Sequence, residues 1–266
     1  MIRDVESLFK LILMVFFQSW IYIKSLLLSK KRNINSSDTV LVLGACGSVG
    51  TQLIPLLLQY KCTLILIDRD EEAMLKTINF IESYKDITIY SLIEELTNYD
   101  KIREFFCRHI ESKIVPNIII FNAAISKHAV SAHVSNKQFN QVMENNVTSF
   151  VNVMSILMPH LHSVYQPRIV ALCSVLSFCN AVGEAAYCAS KSALYSYLTS
   201  IECENPHITC SAIFPAKIQG ELFRHIRYRI IPSFLLREYS PAFVAQKVVQ
   251  TVVTGKRTVY LPFYAL

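Results

Sequence analysis

Short, strongly apolar runs alternate with helix-length segments from residue 39 to residue 261, and few architectures satisfy that alternation. The runs fall at 39–44, 62–68, 87–93, 117–122, 168–174, 208–214 and 258–261. Between them lie 48–60, 70–84, 98–112, 137–163, 187–204 and 241–254, each long enough for a helix. A strand apolar on both faces needs cover on both, so the pattern predicts a parallel sheet sandwiched between helices. The expected class is α/β, with a doubly wound parallel sheet. Such sheets bind ligands outside the carboxyl ends of their strands.

The first run ends in Gly44-Ala45-Cys46-Gly47-Ser48-Val49-Gly50, which holds three of the six glycines in the chain. Glycines there permit a tight turn and let the backbone approach a pyrophosphate seated on a helix N-terminus. The second run ends in Asp68, where a carboxylate accepts hydrogen bonds from ribose hydroxyls and repels a 2′-phosphate. NAD is therefore expected in preference to NADP, with Arg69 a partial offset.

Tyr187-Cys188-Ala189-Ser190-Lys191 sets a tyrosine and a lysine at i and i+4, on one helix face. A free tyrosine titrates near 10, too high for a base at neutral pH, and an adjacent ammonium favours its phenolate. Thirteen tyrosines make one such pair a weak signal. Ser174, thirteen residues earlier at a strand end, and Asn146 within 137–163 strengthen it.

The spaced glycines, Asn122-Ala123-Ala124, Asn146, Ser174, Tyr187 and Lys191 resemble the ordered landmarks of the short-chain dehydrogenase/reductase family over about residues 38–262. The resemblance implies a Rossmann fold of about seven strands. It makes Tyr187 the general acid/base and Lys191 the ligand of the nicotinamide ribose. Ser174 would bond the substrate oxygen, and Asn146 would hold a water in the proton relay. Gly44, Gly47, Ser48, Val49, Gly50, Asp68, Glu95, Asn122, Ala123, Pro215 and Ile218 would line the cofactor, and a homodimer through 137–163 and 187–204 is implied. The sequence departs from the family pattern at Ser48, Ala124, Glu95, Ala216 and Gly220, which raises the alternative of a scaffold protein with weakened cofactor binding.

Residues 1–36 form a second region, ahead of a dehydrogenase domain at 37–266. Residues 11–23 carry no charge, and Lys30, Lys31 and Arg32 follow. A run of this length flanked by bases suits a membrane anchor whose cations meet anionic headgroups. The segment holds six basic and two acidic residues, a surplus of four against +6 for the whole chain. The body is thus only mildly basic, and nucleic acid is not an expected partner. Eight cysteines without a C-x-x-C pair fit reduced thiols facing the cytosol. Together with the likeness to lipid-droplet and endoplasmic-reticulum hydroxysteroid and retinol dehydrogenases, this predicts an oxidoreductase on either membrane. Its substrate would be a lipophilic alcohol or ketone, admitted under an amphipathic lid at 216–240.

Overall fold

The computed structural model describes residues 31–84, 86–220, 222 and 238–261. The apolar run at 11–23 and most of the expected lid lie outside the described residues. Among the described residues no helix is long and apolar enough to cross a membrane.

Seven strands form one parallel sheet, as the alternation requires. They are β1 (Thr39–Leu43), β2 (Thr63–Asp68), β3 (Ile89–Ile93), β4 (Ile118–Phe121), β5 (Arg168–Leu172), β6 (Thr209–Pro215) and, at the edge, β9 (Thr258–Leu261). Their order is β3-β2-β1-β4-β5-β6-β9. A separate two-residue pair joins β7 (Lys217–Ile218) to β8 (Glu238–Tyr239). The chain leaves β1 toward β2 on one side and returns to β4 on the other, so a crevice opens between β1 and β4 at their carboxyl ends.

Period-two patterning divides the strand side chains into two layers. Val40, Val42, Leu64 and Leu66 face α1 (Gly50–Leu58), α2 (Glu71–Glu82) and α7 (Pro241–Thr254) in one cluster. Leu41, Leu43, Ile65 and Ile67 point the other way, into Phe105 and Phe106 of α3 (Tyr99–Glu111) and into the helices that follow β4 and β5. Burying a Leu or Ile fully contributes roughly 1.5–3 kcal/mol, so these layers dominate stability.

Two sequence expectations change. The single helix expected over 137–163 is broken into α4 (Asn136–Met143), one π-helical turn at Glu144–Thr148, and α5 (Ser149–Leu161). Inserted π turns of this kind re-aim a side chain. Here the turn carries Asn146 wholly into the interior.

Arg32 is also not where a headgroup cluster would place it. Its side chain is buried and ion-paired with Asp38, and it donates to the carbonyls of Gln166 at 2.7 Å and Tyr165 at 3.2 Å. Its own N–H donates to the Val253 carbonyl at the end of α7. Ile34 packs into the first core layer. Residues 32–38 are therefore fitted onto the amino-terminal edge of the sheet, opposite the crevice.

Candidate active site

The glycine turn follows β1 for steric reasons. Gly44 has φ +81°, and a Cβ there would stand 2.7 Å from the Ala123 nitrogen. At Gly50 a Cβ would meet the Gly44 and Ala45 carbonyl oxygens at 2.4 Å. Gly47 differs: its nearest neighbour would be Asn122 Nδ2 at 3.5 Å, so a methyl group would make ordinary van der Waals contact and clash with nothing. The Asn122 side chain, from the end of β4, donates to the Gly44 carbonyl at 2.7 Å and locks the turn.

The Asp68 carboxylate closes the same turn. Oδ2 accepts from Cys46 N–H at 2.8 Å and Oδ1 from Asp70 N–H at 3.1 Å. Arg69 pairs with Glu95 at 3.4 Å, both largely exposed. The Cys46 thiol is pushed up to about 11, chiefly by burial and secondarily by Asp68, so it is a neutral wall of the turn.

A cavity of about 410 Å³ runs along the carboxyl ends of the strands. The glycine turn from Gly44 to Val49, with Asp68 and Glu95, lines one end. Asn122 and Ala123 form its middle, and Ser174, Tyr187 and Lys191 the other end. Pro215, Ala216, Ile218, Gly220 and Leu222 border the chemical end. Two positions where the chain departs from the family pattern meet here, since a Cβ at Gly220 would lie 3.4 Å from Ser48 Oγ.

Lys191 is buried on α6 (Ala185–Glu204), the helix that also carries Tyr187. Its Nζ donates to the Leu172 carbonyl at 2.8 Å and lies 5.7 Å from the Tyr187 ring centroid. Burial pulls its ammonium down to about 8, with the Cys173 thiol acting weakly the other way. Ser174 Oγ accepts from Leu176 N–H at 3.1 Å, and among the described residues its own hydrogen meets only the Pro215 carbonyl, at 3.5 Å. That hydroxyl is poised to donate to an oxygen in the cavity.

Two expected residues do not line the cavity. Gly50 opens α1 beneath the turn, where the close approach of Gly44 and Ala45 requires it. Asn146 is fully buried: its side chain donates to Ile125 O and Ser190 Oγ, both at 2.9 Å, and accepts from Ile125 N–H at 2.8 Å. A side chain so engaged clamps the β4 loop to α6. The Leu172 carbonyl, Ser190 and the Glu184 carboxylate were missed by sequence reasoning. Only Ser190, inside the Tyr187–Lys191 stretch, carried any signal.

The cavity fits a dinucleotide on its own geometry. The turn is bare of Cβ at Gly47, Val49 at the start of α1 makes no side-chain cap, and the first turn of α1 holds no acid. The Thr51 and Gln52 N–H groups already donate to the Gly47 and Val49 carbonyls, so an anion would be met by the positive end of the helix and by the turn that precedes it.

Comparison with known proteins agrees with this geometry. Residues 38–229 match the profile described as short chain dehydrogenase. An acetoacetyl-CoA reductase of Acinetobacter sp. is 22% identical, over 82% of this chain and 92% of its own. A 3-oxoacyl-acyl-carrier-protein reductase of Buchnera aphidicola from Schizaphis graminum is 27% identical, over 71% and 76%. Among solved structures, an alcohol dehydrogenase of the archaeon Thermococcus sibiricus, complexed with 5-hydroxy-NADP, superposes with a TM-score of 0.74. It is 15% identical, over 84% of this chain and 94% of that one.

Proposed function

The chain belongs to the short chain dehydrogenase family, and from that premise we propose that it passes a hydride between NAD and a lipophilic alcohol or ketone held against Tyr187 and Ser174. At the coarser level it is an NAD(P)-dependent oxidoreductase of CH–OH and carbonyl groups. The observation that carries the oxidoreductase reading is that Ser174, Tyr187 and Lys191 close the same cavity that the glycine turn opens.

The residues divide the work by position. The nicotinamide ring, when bound, supplies the hydride chemistry. The Ser174 hydroxyl orients the substrate oxygen by donating to it. Tyr187 gives that oxygen a proton in reduction and takes one in oxidation. Lys191, fixed by the Leu172 carbonyl, keeps a positive charge beside the phenol. Ala216, Ile218 and Leu222 offer the apolar border that suits a lipophilic substrate. Support for NAD comes from Asp68, whose carboxylate is pinned at the ribose end, while Arg69 is engaged by Glu95.

We also propose that residues 1–36 hold this domain on the cytosolic face of the endoplasmic reticulum or a lipid droplet, supported by the uncharged run at 11–23. Fractionation of cells expressing the full chain should find it with membranes, and Val15→Asp with Phe17→Asp should release it. A wild-type chain wholly in the supernatant would sink this part.

The central test titrates the full chain with NADH and NADPH by fluorescence, then assays lipophilic ketones, with acetoacetyl-CoA included because a relative carries that name. NADH is expected to bind more tightly, and Asp68→Ser to narrow the difference. Tyr187→Phe should lower turnover by about 10²–10⁴-fold while leaving cofactor affinity intact. Failure of both cofactors to bind at millimolar concentration would favour the scaffold alternative.

A further inference from the structure

Tyr187 sits midway between two attachments of its helix to one loop. Three residues before it, the Glu184 side chain is completely buried, although it touches neither the cavity nor the solvent. Its Oε2 accepts from the Ser126 hydroxyl, and its Oε1 accepts from Nδ1–H of His128 at 3.0 Å. Three residues after Tyr187, Ser190 Oγ accepts from Asn146, which also grips Ile125 through both of its main-chain groups.

Ile125, Ser126 and His128 belong to the loop that leaves β4, and that loop's first residues, Asn122 to Ile125, line the cavity. Ala124 packs in one apolar cluster with Tyr187 and Leu176. The backbone joins the same attachment, since Ala129 N–H donates to the Gly183 carbonyl at 2.9 Å. Gly183 has φ +80°, and a Cβ there would lie 2.2 Å from His128 Cε1, so the imidazole rests directly on the chain entering α6. The glycine makes that approach possible.

A buried carboxylate is retained only where donors meet it, and here both side-chain donors come from the β4 loop. The mechanism above makes no use of Glu184. We propose that Glu184, held by Ser126 and His128, is a positioning group: it fixes the first turn of α6 against the β4 loop. In doing so it sets where the Tyr187 hydroxyl stands relative to Ser174 and Lys191. The inference rests on the reading of Tyr187 as the acid/base.

His128 is the place to test it, because its side chain is 47% exposed and its removal takes one donor from Glu184 without taking an apolar side chain out of the core. In the full chain, His128→Ala should lower kcat about tenfold through misplacement of Tyr187, with cofactor affinity within about twofold of wild type. Amide hydrogen exchange should accelerate about tenfold in 183–190 and stay unchanged in 195–204. His128→Asn, which keeps an N–H at the Nδ1 position, should recover kcat to within about threefold. Unchanged exchange in 183–190, or an Asn variant no better than Ala, overturns the proposal, as does parallel loss of cofactor binding. A wild-type chain that reduces no carbonyl refutes the functional reading alone, and the exchange arm then decides the positioning role.

Discussion

Lys191 Nζ donates to the main-chain carbonyl of Leu172 at 2.8 Å, reaching across nineteen residues from α6 to the end of β5. This bond orients an ammonium that burial otherwise disfavours, and the ammonium titrates near 8 instead of the ordinary 10.5. Between those values the unfolded chain binds more protons than the folded one, so this group makes stability rise with pH. Wild type should gain about 1 kcal/mol relative to Lys191→Met between pH 8 and pH 9. Urea midpoints for the two proteins at both pH values check this. A flat difference would place Lys191 in a more hydrated setting.

Gly50 and Gly47 should respond differently to one added methyl group. Gly50→Ala drives a Cβ against two carbonyl oxygens and should cost about 3 kcal/mol, read as a lower thermal midpoint. Gly47→Ala should fold within about 0.5 kcal/mol of wild type, because no protein atom crowds it. Its methyl group stands in the dinucleotide cradle, so NADH affinity should fall at least about tenfold, or roughly 1.4 kcal/mol.

Asn146→Ala should destabilise the chain by about 2–3 kcal/mol, because it removes the partner of both partly buried main-chain groups of Ile125 and leaves the Ser190 hydroxyl with only the Tyr187 carbonyl. Turnover should fall with it. Chemical denaturation gives the first quantity and single-turnover kinetics the second. A variant as stable as wild type would refute the clamp.

Arg32→Ala leaves Asp38 buried beside Asn117, which donates to it at 2.8 Å but carries no charge. The expected loss is about 3 kcal/mol, since breaking a buried pair strands the remaining ion. Changing Lys31, which is exposed, should shift stability by no more than about 0.5 kcal/mol. Equal effects at the two positions would return Arg32 to a surface role.

Much of the site was legible because its signals are local. Gly44 and Gly50 are dictated by a turn of seven residues. Tyr187 and Lys191 share a helix face by the i, i+4 rule, and Ser174 stands at the end of an apolar run. Asn146 was legible as a residue but its partners were not, because sequence does not give the direction in which a π turn sends its amide.

The sequence by itself determined the sheet, its helical cover and the strand ends where chemistry gathers, since periodicity and turn chemistry act within a few residues. Only tertiary structure decided the partners: Leu172 for Lys191, Ser126 and His128 for Glu184, Asp38 for Arg32, and Ile125 and Ser190 for Asn146. Three of these four sets bring together elements far apart in the chain or meeting through irregular loops. Arg32 and Asp38 are six residues apart, yet their pairing still depends on the sheet edge that buries both. A buried polar group is compelled to find a hydrogen-bonding partner, but nothing in its local sequence says which one the fold will bring.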